Sequence, residues 1–114
     1  KRQLVATHHT KNFDQTFLGQ IASQYHIRRA IVASVSQPSE SIKDLLASSG
    51  ISTLVATPAL SFPFIIEYKT PQTLGIDRLA AVAGATAIFP NENLLIIDAG
   101  TAITYEIVTE HNKY

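Results

Sequence analysis

Two short runs in this chain hold residues whose types and spacing could do chemistry. Residues 98–101 read Asp-Ala-Gly-Thr and follow the aliphatic run Leu94, Leu95, Ile96, Ile97. A turn centred on Ala99–Gly100 exposes successive backbone N–H groups, and such concavities attract phosphate oxygens. Gly100 removes the Cβ that would hold a ligand away from the backbone. Thr101 and Thr104 add hydroxyl donors, and Asp98 at the strand end offers a carboxylate to a cation or its bound water. Amide donors, hydroxyls and a carboxylate for the counter-ion are the parts that phosphoryl transfer uses. The same four residues also suit a plain β-hairpin turn with surface threonines.

The second run, Gly75-Ile76-Asp77-Arg78, opens an alanine-rich stretch. A carboxylate at a helix start is favoured by the helix dipole by about 0.3–1 kcal/mol, so Asp77 suits a simple cap. It also suits a general base for a substrate hydroxyl, with Arg78 as the clamp for a substrate anion or polar group.

The elements that must position these runs follow from periodicity. Residues 3–8 are expected as an edge strand. Asn12 or Asp14 is expected to cap a helix reaching about Tyr25, with Phe13, Phe17, Leu18, Ile21 and Tyr25 near one face. Residues 29–35 and 51–56 read as strands buried on both faces. Between them, Pro38 and the following serines open a helix, with Ser41 and Asp44 as a capping box and Gly50 as its stop. Residues 57–71 wander, with 64–68 as a short extended piece. Residues 77–89 form the strongest helix; Gly84 in its interior costs roughly 1 kcal/mol against alanine, which implies close packing there. Residues 94–98 and 102–108 form an antiparallel pair, in which Glu106 takes an exposed position. The alternation of strands and helices predicts an α/β fold with right-handed crossovers and a largely parallel sheet.

Composition narrows the class. The 114 residues are 46% hydrophobic and 16% charged, enough for a packed core. Nine basic residues balance nine acidic ones, and Arg28–Arg29 is the only adjacent basic pair beyond Lys1–Arg2, a poor footprint for nucleic acid. The lack of cysteine removes disulfides, thiolate catalysis and Cys-ligated zinc. No apolar run reaches the ~18 residues that a membrane helix needs. Adjacent His8 and His9 in an extended run face opposite ways and do not share a metal. The lack of methionine, with Lys1 at the start, points to a piece of a longer protein.

The run TPQTLGIDRLAAVAGA, followed by LIIDAGTAIT, resembles the type III pantothenate kinases of the acetate-kinase, sugar-kinase, Hsp70 and actin superfamily. The resemblance covers most of residues 64–108, and the ordered pair of motifs is far more specific than either alone. It implies a ribonuclease H-like, actin-like lobe with a mixed, largely parallel sheet flanked by helices and truncated at both ends. Residues 1–93 would be most of the first lobe and 94–114 the opening β-hairpin of the second. It implies that Tyr68, Gly75, Ile76, Asp77 and Arg78 bind pantothenate, with Asp77 accepting the hydroxyl proton. It implies ATP contacts from Gly100 and Thr101 and a monovalent cation, potassium or ammonium, at Asp98. The D-x-G-N-T phosphate loop that opens family members has no counterpart in residues 1–30.

The activity so implied is ATP-dependent phosphorylation of pantothenate, the first step of coenzyme A synthesis, by a cytoplasmic homodimer using ATP with magnesium. The 114-residue piece by itself is expected to show no turnover. The alternatives are another kinase or ATPase of the superfamily, a Bvg-accessory-factor-like transcriptional activator, or an unrelated α/β domain. Neither nucleic acid nor membrane is an expected partner.

Overall fold

The computed structural model describes residues 3–35 and 40–114. Its described residues divide into two compact units, the first holding residues 3–32 and 40–54 and the second holding residues 33–35 and 55–114.

In the first unit, helix α1 (Gln15–Tyr25) starts where Asp14 accepts a 2.8 Å hydrogen bond from the Phe17 N–H, so Asp14 rather than Asn12 is the cap. Strand β1 (Arg29–Val32) pairs with β2 (Ser52–Val55), and helix α2 (Glu40–Ser48) connects them. Ser41 lies inside the first turn of α2, so it is not the cap of a capping box; Pro38 lies outside the described residues. Gly50 does end α2. Its φ of +72° lets its N–H reach Ala47 O at 3.0 Å and the Ile51 N–H reach Leu46 O at 3.0 Å. That closure carries Ile51 onto Leu46, and with Leu18 they form the core of this unit.

Two expectations fail in this unit. Residues 3–8 run as coil, with Leu4 and Val5 exposed and no strand partner for their backbone among the described residues. Strands β1 and β2 are covered on one face only, since Ile31 and Leu54 are exposed. Phe13 is half exposed and packs edge-on against Phe17, outside the core cluster.

The second unit is built on α3 (Ile76–Ile88) and the antiparallel hairpin of β3 (Leu94–Ala99) and β4 (Ile103–Val108). Helix α3 buries Ile76, Leu79, Val82 and Thr86, one stripe at helical spacing. Thr86 is tolerated there because its hydroxyl bonds back to the carbonyls of Val82 and Ala83, at 3.0 and 3.1 Å. Gly84 faces outward, and a β-carbon there would meet nothing within 4 Å, so the close packing expected at Gly84 is absent among the described residues.

The hairpin alternates in side-chain direction. Leu94, Ile96, Glu106 and Val108 turn toward α3, where Val108, Leu79 and Val82 are fully buried. Each such side chain contributes about 1.5–3 kcal/mol of burial energy. The opposite face, with Leu95, Ile97, Ile103, Tyr105 and Ile107, is exposed.

Of residues 64–68, expected as an extended piece, Phe64 lies in a bend, and Ile65 and Glu67 pair with residues 112–114. Ile65 bridges Lys113 in parallel, with Ile65 N to Asn112 O and Tyr114 N to Ile65 O both at 2.8 Å. The described residues thus form a mixed α/β fold, as expected, in which β1 pairs with β2 and β3 with β4. Among them, no helix is long and apolar enough to cross a membrane.

Candidate functional site

The site grows from the start of α3. Gly75 is the N-cap, with φ −63° and ψ 138°, and its carbonyl accepts the Leu79 N–H at 3.3 Å. Its side of the helix makes no side-chain cap bond, so Asp77 is not the cap. The Asp77 carboxylate stands in the first turn, exposed, and folds back over the α-carbon of Gly75. A β-carbon at residue 75 would overlap its Oδ1 and lie 3.4 Å from its Cγ. Among the described residues, Asp77 has no hydrogen bond or ion pair to another side chain. It is an available carboxylate at the positive end of a helix. Ile76, between them, is buried in the core and anchors the turn through its side chain.

Arg78 is oriented by a partner on β4. Its Nε donates to Glu106 Oε1 at 2.5 Å and its Nη2 to Glu106 Oε2 at 2.7 Å, a forked pair that fixes the guanidinium plane. The Tyr114 hydroxyl donates to the same Oε2 at 2.6 Å. Glu106 is only 5% exposed, which corrects the expectation of a surface position. Burial alone would raise its carboxyl pKa, but the hydrogen bonds from Arg78 and Tyr114, with the charge of Arg78, hold it below the usual range. The hydrogen bond to Glu106 in turn raises Arg78 above its usual value. Burial and the same carboxylate push Tyr114 up to about 12.

Tyr68 is half exposed, and its phenol lies within electrostatic reach of both Arg78 and Tyr114. The parallel bridge at Ile65 sets its position, because that bridge lays residues 65–67 along the segment ending in Tyr114.

The Asp-Ala-Gly-Thr run caps the hairpin. Asp98 pairs across the strands with Thr104, and Ile96 with Glu106, so Asp98 and Thr104 sit one same-face step beyond the Glu106–Arg78 contact. That step is ~7 Å along a strand. The ion pair therefore ties the start of α3 to the face of the hairpin that carries Asp98. Gly100 uses its own N–H in the turn, donating to Ala102 O at 3.1 Å. A β-carbon at Gly100 would make only ordinary contacts, the nearest 3.8 Å from Asp98 Oδ1. Nothing within the described chain requires glycine there. Thr101 is exposed at the tip.

Asp98, Thr104 and the turn carbonyls supply hard oxygen donors, which suit an alkali cation. Among the described residues, no three His, Cys, Asp or Glu side chains gather as a metal site.

Glu106 and Tyr114 are the site residues that motif reading passes over. The signal for Glu106 was its period-two relation to Thr104 and Val108, which places it on the inward face once the hairpin register is drawn.

A family model described as type III pantothenate kinase matches residues 2–114. A type III pantothenate kinase of Phocaeicola vulgatus is 36% identical over 114 residues, all of this chain and 47% of that protein. One of Azobacteroides pseudotrichonymphae is 39% identical over 113 residues, 99% of this chain and 46% of that protein. One of Bacteroides fragilis (strain YCH46) is 42% identical over 94 residues, 82% of this chain and 39% of that protein. The chain thus spans less than half the length of these relatives. With a family match across nearly all of its residues and both motifs joined in one unit, the chain belongs to the type III pantothenate kinase family.

Proposed function

We propose that the protein containing this chain transfers the γ-phosphoryl group of ATP to the primary hydroxyl of pantothenate, the entry step of coenzyme A synthesis. The observation that carries this reading is the Arg78–Glu106 pair, which brings the Gly75–Arg78 run to the hairpin face bearing Asp98 and Thr104. A substrate-holding group and a phosphate-side carboxylate then belong to one compact unit.

In this reading Asp77 takes the proton of the pantothenate hydroxyl as that oxygen forms its bond to the γ-phosphorus. The bond from the γ-phosphorus to the bridging oxygen breaks, and ADP leaves with the electron pair. Asp77 suits the role because its carboxylate is exposed and uncommitted. Tyr68, Gly75, Ile76 and Arg78 hold the alcohol in line, and most of the rate comes from such positioning and from charge stabilisation. Thr101 faces the phosphates, with the Gly100 backbone passing close to them; since the Gly100 N–H serves the turn, its contribution is room rather than a donor. Magnesium arrives with ATP. A monovalent cation held by Asp98 supplies positive charge beside the phosphates.

The same reading takes the chain as part of an actin-like, ribonuclease H-like lobe. Residues 1–93 belong to the first lobe and 94–114 open the second, in a cytoplasmic homodimer. The test is Asp77→Asn in the intact protein, assayed by ADP release with pantothenate and ATP. Turnover should fall by about 10²–10⁴-fold while pantothenate binding by calorimetry stays near wild type. An active Asp77→Asn protein removes Asp77 from the base role, and a wild type that phosphorylates a different small alcohol in preference redirects the substrate.

A further inference from the structure

We propose that Glu106, seconded by Tyr114, is the positioning residue that aims Arg78 at the alcohol substrate. This rests on the reading above, in which Arg78 holds pantothenate.

A carboxylate so deeply buried is costly unless both of its oxygens are hydrogen-bonded. Glu106 meets that condition with its two oxygens shared among Arg78 Nε, Arg78 Nη2 and the Tyr114 hydroxyl. The contact engages the side edge of the guanidinium, formed by Nε and Nη2. Nη1 takes no part, so among the described residues the end edge, Nη1 with the second hydrogen of Nη2, is left as another two-donor fork. A fork of that shape matches a carboxylate, or two acceptors spaced like one. Arg78 is partly buried and bound from behind, so its rotamer freedom is spent before the substrate arrives. Glu106 also cancels the positive charge locally. The free edge therefore selects by direction and spacing of acceptors more than by long-range attraction.

The placement of Tyr114 joins this arrangement to Tyr68. Backbone pairing of Ile65 with Asn112 and Tyr114 fixes the strip that ends in Tyr68, while the Tyr114 hydroxyl holds Glu106. One short segment thereby sets both an aromatic wall and the tilt of the arginine.

The experiment compares steady-state kinetics of the intact protein as wild type, Glu106→Gln, Glu106→Asp, Tyr114→Phe, Arg78→Lys and the Arg78→Lys/Glu106→Gln double variant. Glu106→Gln should raise the pantothenate KM about tenfold or more, with kcat within about threefold and the ATP KM unchanged. Glu106→Asp should recover part of the loss, and Tyr114→Phe should raise the pantothenate KM by a few fold. In the Arg78→Lys background, Glu106→Gln should add nothing, because it acts through Arg78. A folded Glu106→Gln protein with wild-type pantothenate KM overturns the proposal, as does an additive double variant. If Glu106→Gln does not fold, Tyr114→Phe decides alone: an unchanged pantothenate KM overturns the proposal. Arg78→Lys separates the two levels. A wild-type pantothenate KM in that variant sinks the substrate role of Arg78 itself, whereas a raised one beside an unaffected Glu106→Gln sinks only the positioning role.

Discussion

The carboxylate of Asp77 occupies the space that a side chain at residue 75 would need: a β-carbon on Gly75 would overlap Asp77 Oδ1. Gly75 has φ −63° and ψ 138°, which any residue adopts, so the requirement is for room and not for backbone freedom. Gly75→Ala should therefore leave α3 intact apart from a weaker cap, about 0.5–1 kcal/mol, while pushing the Asp77 carboxylate to another rotamer. A misplacement of that size in a reacting group costs on the order of 10²-fold in kcat. Circular dichroism and a melting curve near wild type, together with the lost turnover, would bear this out; full activity would show that Asp77 does not need its place over residue 75.

Asp98 offers the only carboxylate of the Asp-Ala-Gly-Thr turn, and it stands opposite Thr104. If it holds the monovalent cation, Asp98→Asn should weaken activation by potassium by at least about tenfold. The measurement is a titration of activity with potassium chloride, with choline chloride keeping the ionic strength constant. An unaltered potassium titration in Asp98→Asn would move the cation elsewhere.

What was legible in the sequence was mostly local. Gly50 announced the end of α2 because only a positive φ closes that turn cheaply, and α3 was within one residue of its observed bounds. The hairpin followed from two aliphatic runs around a glycine. Tertiary facts were harder to read. The runs at Ile31 and Leu54 looked like strands covered on both faces, but composition cannot say whether a neighbour covers the second face. Glu106 looked like a surface residue because glutamate usually is. Its burial depends on Arg78 and Tyr114, one far back in the chain and the other at its end. Tyr68 and Asp77 were found as motif letters, while the parallel bridge that sets Tyr68 had no local signature.

Leu79 is fully buried at the centre of the second core, between Leu74, Val82 and Val108. Leu79→Ala should cost about 2–5 kcal/mol, since the removed atoms leave a cavity that helix and hairpin fill only in part. Urea unfolding of the intact protein would read this as a lower midpoint. A loss under about 1 kcal/mol would show that the hairpin does not pack on α3 as described.

The Arg78–Glu106–Tyr114 cluster also fixes a pH window. The carboxyl of Glu106 is held below its ordinary value of 4.5, so its contribution is present above that value in the unfolded chain and is lost as the pH falls through the lower folded one. Tyr114 is shifted the other way, up to about 12 from 10.0. Its contribution is full below pH 10 and is lost as the pH rises through about 12. Between these limits the cluster should be insensitive to pH. The difference in melting temperature between wild type and Glu106→Gln should then be flat across neutral pH and shrink only below about 4.5, where the glutamate becomes as neutral as the glutamine. A difference that already shrinks near neutrality would mean that Glu106 titrates far above the range its two donors impose, and that the fork to Arg78 is not closed in solution.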